Sequence, residues 1–271
     1  MRVFVESVGL CGPGLNGWAA SLPVLAGRQE YAPAATSIPP SLLLPANERR
    51  RAAQIVKIAL AVGTEALTAA GRDAAETATV FTSSGGDGDT IHEILNVLAS
   101  PQRELSPTRF HNSVHNAASG YWSIATGSTA ASTSLCCHDD SFAAGLLEAT
   151  VQAVTRHEAV ALIAYDVQYP APIKVLRPIG AAFAVALVLS PAPTAAASAE
   201  IELALTPGHA AASEAAPPAL EMLAQNTPAA RCLTLLTALA RREAGCVRLN
   251  YLEDMILTMN VAPIAAERNP L

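Results

Sequence analysis

Charge is scarce in this sequence. Of 271 residues, 15% are Asp, Glu, Lys or Arg, against 51% hydrophobic ones, and the net charge is −6. The single basic run, Arg49, Arg50 and Arg51, occupies one helical turn and reads as the solvated start of a helix. Nothing in the chain offers the basic surface that a nucleic acid requires. Long hydrophobic runs are missing too. The longest, IGAAFAVALVL at residues 179–189, is about half of the roughly 20 residues that a spanning helix needs. It reads as a buried strand, and the mean hydropathy of +0.30 reflects alanine rather than a bilayer. Cysteines are few and odd in number (11, 136, 137, 232, 246) and lack framework spacing, which favours reduced thiols in a cytoplasm over a disulfide scaffold. The start, MRVFVESVGL, places Glu6 inside its only apolar stretch, so no secretory signal is expected.

What is present alternates. RVFVESVGLCGPG reads as a strand closed by glycine and proline. From the N-cap candidate Asn47, one helix of about six turns is expected to run to a stop at Gly71. Its apolar residues cover more than one face, so it should be sandwiched. TATVFTSSGGDGD then reads as a short strand ending in a glycine loop, and TIHEILNVLAS as a helix. The loop lacks phosphate-binding spacing, and Asp87 and Asp89 would repel phosphate. A histidine-bearing segment leads into a helix from about Ala117, where core packing is the default for Tyr121 and Trp122. STAASTS is extended, DSFAAGLLEATVQAV helical, and EAVALIAYDVQY and GAAFAVALVLSP are strands. This order favours a layered α/β fold around a mostly parallel sheet. Residues 191–225 are rich in alanine and proline and read mainly as a connector with one strand-like island, EIELAL. A final unit, 226–271, supplies a helix and a strand pair.

The stretch STSLCCHDDSFAAGLL, residues 132–147, concentrates the candidate chemistry. A cysteine where a strand turns into a helix gains from the helix N-terminus, which favours the thiolate, and from N–H groups that can hold an oxyanion. Cys136 is the residue expected at the apex of that turn. Asp139 and Asp140 oppose this, because carboxylates beside a thiol disfavour its charged form. Burial as a small hydrophobe, an acyl-accepting role, and a redox role with Cys137 all remain open for Cys136. Cys-Cys-His with His111 and His115 lacks the usual zinc spacing, so no metal or other cofactor is expected.

On GSTAASTSLCCHDDSFAAGLLEA, the arginine-led helix, the strand with its glycine loop, and FHNSVHNAASGYWSIATG, the chain resembles the amino-terminal half of the β-ketoacyl synthases, condensing enzymes of the thiolase fold. HNSVHNAASGYWSIATG, SFAAGLLEA and NTPAARCLTLLTALARREAG are similar to a short subfamily, the chain length factors of bacterial aryl polyene clusters. The resemblance covers residues 1–190 best. It implies a thiolase-like sandwich with a nearly complete first half and a truncated second half, divided as 1–190, 191–225 and 226–271. It puts Cys136 at the nucleophile position, and His111, Asn112, His115, Asn116, Cys137, His138 and Phe142 at the substrate pocket or the subunit interface. The family's carboxy-terminal histidine motifs, of the types HGTGT and GHxxGA, do not occur, and after residue 190 the only histidine is His209. The expectation is a chain-length-factor-like subunit that dimerises with a full ketosynthase through the nucleophile strands, shapes the acyl tunnel and meets acyl carrier protein as a complex. The alternatives are an acyl-transferring thiol enzyme using Cys136 and a non-catalytic homodimeric scaffold.

Overall fold

The structure, a computed structural model, describes residues 1–209 and 218–264. The chain opens with β1 (Arg2–Gly12), a short β2 (Leu15–Asn16) and α1 (Trp18–Leu25). An extended strap leads to α2 (Ala46–Arg51), α3 (Gln54–Ala70) and β3 (Ala78–Thr82). Three helices follow, α4 (Gly88–Ala99), α5 (Pro107–Asn112) and α6 (Ala117–Thr126), then β4 (Ser132–Leu135). A 3-10 turn, His138–Asp140, precedes α7 (Ser141–Arg156), β5 (Val160–Asp166), α8 (Ile173–Leu176) and β6 (Phe183–Ser190). The remainder is β7 (Ala199–Pro207), α9 (Pro218–Asn226), a 3-10 turn at Pro228–Cys232, α10 (Leu233–Arg241), β8 (Gly245–Tyr251) and β9 (Met255–Pro263).

The described strands form one sheet in the order β4-β3-β5-β6-β1-β7-β9-β8, with β2 paired to the end of β1. β3, β5 and β6 are buried along their whole length, as expected of apolar runs covered on both faces. One face carries α3 and α6, whose Ile58, Leu60, Val62 and Trp122 pack with Phe81, Ile163 and Tyr165 of the sheet. The other carries α7, α10 and α1, where Phe142, Leu146, Leu235 and Leu25 meet Val80, Leu162 and Leu187. Side chains buried this way stabilise the fold by about 1.5–3 kcal/mol each. The result is the layered α/β sandwich expected from the sequence.

Three expectations change. The sheet is mixed, not mostly parallel: only β4-β3 and β3-β5 are parallel, and every other pair is antiparallel. Parallel pairing needs a helical crossover, and β5 and β6 are joined only by a loop and the four-residue α8. The long helix from Asn47 is two helices, because Ala52 and Ala53 adopt extended backbone angles. Its stop stands as read, with Gly71 in the left-handed region at φ 65°. The stretch 191–225 contributes more than one island: β7 pairs with β1 on one side and β9 on the other, and α9 begins at Pro218. No described helix is long and apolar enough to cross a membrane.

Candidate functional site

The carboxyl ends of the three parallel strands converge, and the chain segments leaving them form the site, as is usual for crevices in α/β sheets. β4 delivers Cys136, β3 delivers residues 83–88, and β5 delivers Asp166 and the segment to Tyr169. Cys136 is exposed, and its thiol donates to the Ser84 carbonyl at 3.2 Å. The next residues fold into a tight knot: Cys137 N–H donates to Ser141 Oγ at 3.0 Å, and Ser141 Oγ donates to the His138 carbonyl at 2.7 Å. His138 has φ 50°, a left-handed conformation that is uncommon for a non-glycine residue.

The apex of the turn is therefore His138, not Cys136. The cause is the 3-10 turn at His138–Asp140, which intervenes between strand and helix and leaves Cys136 as the first residue after β4. α7 begins only at Ser141, so Cys136 is not in its first turn, where the dipole of the helix N-terminus acts most strongly. The opposing influence of the two aspartates is also weakened. Arg231 donates to Asp140 at 2.8 Å and to Asp139 at 3.0 Å, and Arg177 pairs with Asp139 at 2.6 Å. Burial pushes the Cys137 thiol up, with Cys136 and Asp140 adding to it, so Cys137 is held neutral. His138 projects outward beside Asp139, with Nδ1 at 3.5 Å from the carboxylate and its side chain 70% exposed. It borders an open cleft with Cys137, Asp140, Leu252, Glu253 and Asp254.

Tyr169, which sequence reasoning did not single out, explains the glycine loop. A Cβ on Gly85 would sit 1.9 Å from the Tyr169 hydroxyl, and one on Gly88 2.1 Å from the ring. Both glycines are small because the tyrosine lies across them. Asp166, buried at the end of β5, fixes the surroundings. It accepts from Ser84 N–H at 2.8 Å, Ser83 Oγ at 3.3 Å and, across the molecule, Ala229 N–H at 2.8 Å. Burial pushes its pKa upward while those donors pull it down, for a net rise. The missed signal was pairwise: Tyr169 stands more than 80 positions from the glycines that receive it.

The other expected residues separate into groups. His115 reaches the site, donating from Nε2 to the Ser83 carbonyl at 3.3 Å, one residue from the acceptor of the Cys136 thiol. Asn112 is buried and serves as a clamp, donating to the Arg51 carbonyl at 3.1 Å and accepting from the Tyr121 hydroxyl at 3.1 Å. His111 is exposed and meets the Tyr121 ring edge-on at 6.2 Å. Asn116 is exposed, and its carbonyl accepts from Ser119 at the start of α6. Phe142 lies in the core at 1% exposure. Tyr121 and Trp122 are both core residues, so neither ring is free to face a partner. Asp87 caps α4 through Thr90 N–H at 3.2 Å, which accounts for an acid in the glycine loop. Among the described residues, no group of three or more His, Cys, Asp or Glu side chains is placed to hold a metal ion.

Comparison with known proteins gives this geometry its context. The family described as "Beta-ketoacyl synthase, N-terminal domain" matches residues 25–248. No curated protein matches by sequence. Among solved structures, the chain superposes with a TM-score of 0.74 on a chain of the "Ketosynthase (ApeO) in Complex with its Chain Length Factor (ApeC) from Xenorhabdus doucetiae", at 20% identity, covering 96% of this chain and 99% of that one. "The ishigamide ketosynthase/chain length factor" gives 0.73 at 13% identity, covering 97% and 99%. A β-ketoacyl synthase from Burkholderia phymatum STM815 gives 0.58 at 14% identity, covering 84% of this chain and 70% of that one. These matches place the fold among the thiolase-like ketosynthases.

Proposed function

Because the chain belongs to the β-ketoacyl synthase family, we propose that it is a chain-length-factor-like subunit of a ketosynthase complex, working on acyl chains carried by an acyl carrier protein in the cytoplasm. The observation that carries this reading is the apex of the strand-to-helix turn. A nucleophile on such a turn depends on a sharp, constrained backbone that exposes its reactive atom. Here that backbone belongs to His138, while the nearest thiols are Cys136, bonded to Ser84, and Cys137, held neutral. The turn's shape is kept without a thiol at its peak.

Condensation also requires malonyl decarboxylation, and the histidine motifs associated with it are absent from these residues. In this reading the partner ketosynthase supplies both steps. This chain supplies a wall of the acyl tunnel and the pairing surface beside β4, whose four residues Ser132, Thr133, Ser134 and Leu135 end the sheet among the described residues. The aspartates then act as structural anchors: with Arg177 and Arg231 they lock the turn between the segment after β5 and the turn preceding α10.

The test is a pair of incubations with malonyl- and acyl-carrier protein. The chain alone is expected to release no CO2 and to gain no acyl mass, whereas addition of the ketosynthase starts condensation. A stoichiometric acyl adduct on the chain alone, lost in Cys136→Ala, would replace this reading with that of a thiol acyltransferase, in which the Cys136 thiolate attacks the thioester carbonyl and expels the carrier thiol.

A further inference from the structure

A cavity that shares no lining residue with the candidate site opens where β1 ends. Because β1 and β5 are each antiparallel to β6, β1 finishes at the same edge of the sheet as β5, two strands away from it. The cavity, about 380 Å3, lies between the end of β1, the strap that follows α1, and α3. Leu10 and Cys11 are buried in its floor, Ala61 and Pro39 add apolar surface, and Asn16 and Ser37 are exposed at its rim. A volume of this size, lined by apolar groups with a few polar ones among them, is that of a small-molecule site.

The one charged group that lines it is Glu65, half-buried on α3. Its Oε2 accepts from Leu10 N–H at 2.9 Å and its Oε1 from Trp18 N–H at 2.6 Å. Gly17, at φ 88°, lets the chain pass close to it: a Cβ there would stand 3.2 Å from Oε1. A carboxylate has about four acceptor positions, so each oxygen keeps one beyond these bonds. Among the described residues no Lys, Arg or His side chain pairs with Glu65. The Cys11 thiol donates to the Ser37 carbonyl at 3.5 Å, and burial, helped by the charge of Glu65, pushes its pKa up to about 11. The thiol is therefore neutral. What remains is a carboxylate without a counter-charge beside an apolar hollow, and such a group gains most from a cation that also removes it from water.

We propose that this cavity binds a small primary amine, with its ammonium on Glu65 and its apolar body against Leu10, Ala61 and Pro39. An ammonium has three donors, enough for the two remaining carboxylate positions and for one polar side chain at the rim, Ser37 or Asn16. An acid meets the like charge of Glu65, and a neutral alcohol leaves that charge unpaired. The occupant also fastens the strap to α3. Ser37 and Pro39 belong to the extended stretch whose Thr36 hydroxyl donates to the Ala182 carbonyl at 2.7 Å and whose Leu44 is buried just before α2. The site is separate from the subunit assignment and holds whether or not the chain pairs with a ketosynthase.

The experiment is a calorimetric titration of the full chain near pH 7 with three probes of one shape: benzylammonium, benzyl alcohol and benzoate. It is repeated on Ala61→Phe, which fills the cavity from α3, and on Glu65→Gln, with circular dichroism and Tm confirming that each variant is folded. The expected result is that the wild type binds benzylammonium with a Kd of about 1 mM or tighter and binds the alcohol and the acid at least about tenfold more weakly. Both variants should lose at least about tenfold in affinity for benzylammonium. No binding of benzylammonium by the wild type overturns the site. Equal affinity for the three probes overturns recognition by Glu65, and undiminished binding to folded Ala61→Phe places the amine elsewhere and overturns the cavity as its site. The comparison of probes on the wild type decides the matter even where a variant fails to fold. Each of these outcomes leaves the subunit assignment untouched, since that is tested by pairing.

Discussion

At the scale of single residues, the site is organised by contacts that no local motif announces. Tyr169 determines that positions 85 and 88 be glycine, so Gly88→Ala is expected to destabilise the chain by about 1–3 kcal/mol in chemical denaturation through overpacking. Combining it with Tyr169→Ala should recover most of that loss, since the clash is removed; additive losses would show that the contact does not set the glycine. Asp166→Asn tests the anchor of the same loop. An amide can accept from only one of the two N–H donors, Ser84 and Ala229, and turns its own NH2 toward the other. The expected cost is about 2–4 kcal/mol by the same measurement. A cost below about 0.5 kcal/mol would mean that the buried carboxylate does not hold the two segments together.

At the scale of elements, long strands and helix ends were legible in the sequence, whereas junctions were not. Gly71 and Gly127 stop α3 and α6 in left-handed geometry, as a glycine after an apolar helical run implies. The break at Ala52 and Ala53 carries no proline, glycine or capping residue, so only the surrounding packing specifies it. β7 was legible as the strand-like island EIELAL, but its pairing was not, because its partners β1 and β9 lie far away along the chain. Displacement of the turn apex from Cys136 to His138 has a similar origin: the extra 3-10 turn is held by Ser141 and by arginines from two other segments. A further tie, Glu6 with Arg72 and Thr194, joins β1, the end of α3 and the approach to β7. Burial raises the Glu6 pKa, but the hydrogen bond and charge of Arg72, with Thr194 and Ser190, more than offset it, so the net shift is downward. A carboxyl depressed in the folded state contributes stability above its unfolded value, about 4.3, that is lost as pH falls through the folded one. Glu6→Gln should therefore lower stability by about 2 kcal/mol near pH 7 and flatten that part of the acid limb below about pH 4.5. Parallel unfolding curves for the two proteins between pH 3 and 7 would contradict the assignment.

At the scale of the whole molecule, a well-filled core coexists with an incomplete surface. Both faces of the central strands are covered, yet among the described residues β4 ends the sheet with no strand beyond it, and Leu95, Leu98, Phe110 and Ile124 on α4, α5 and α6 are exposed. The family relationship was legible in the stretch from β3 to α7, because the turn, the glycine loop and the buried helix fall there in sequence order. The expected division of labour with a partner was legible too, through the family resemblance and the missing carboxy-terminal histidine motifs; the residue on the constrained backbone was not, because contacts from distant segments hold that turn. The central claim is that this chain pairs with a ketosynthase and leaves the covalent chemistry to it. Native mass spectrometry of the co-expressed pair, after incubation with an acyl carrier thioester, tests both parts at once. The account predicts a one-to-one heterodimer carrying a single acyl group on the ketosynthase. A homodimer of this chain, or an acyl group on this chain that Cys136→Ala removes, would contradict it.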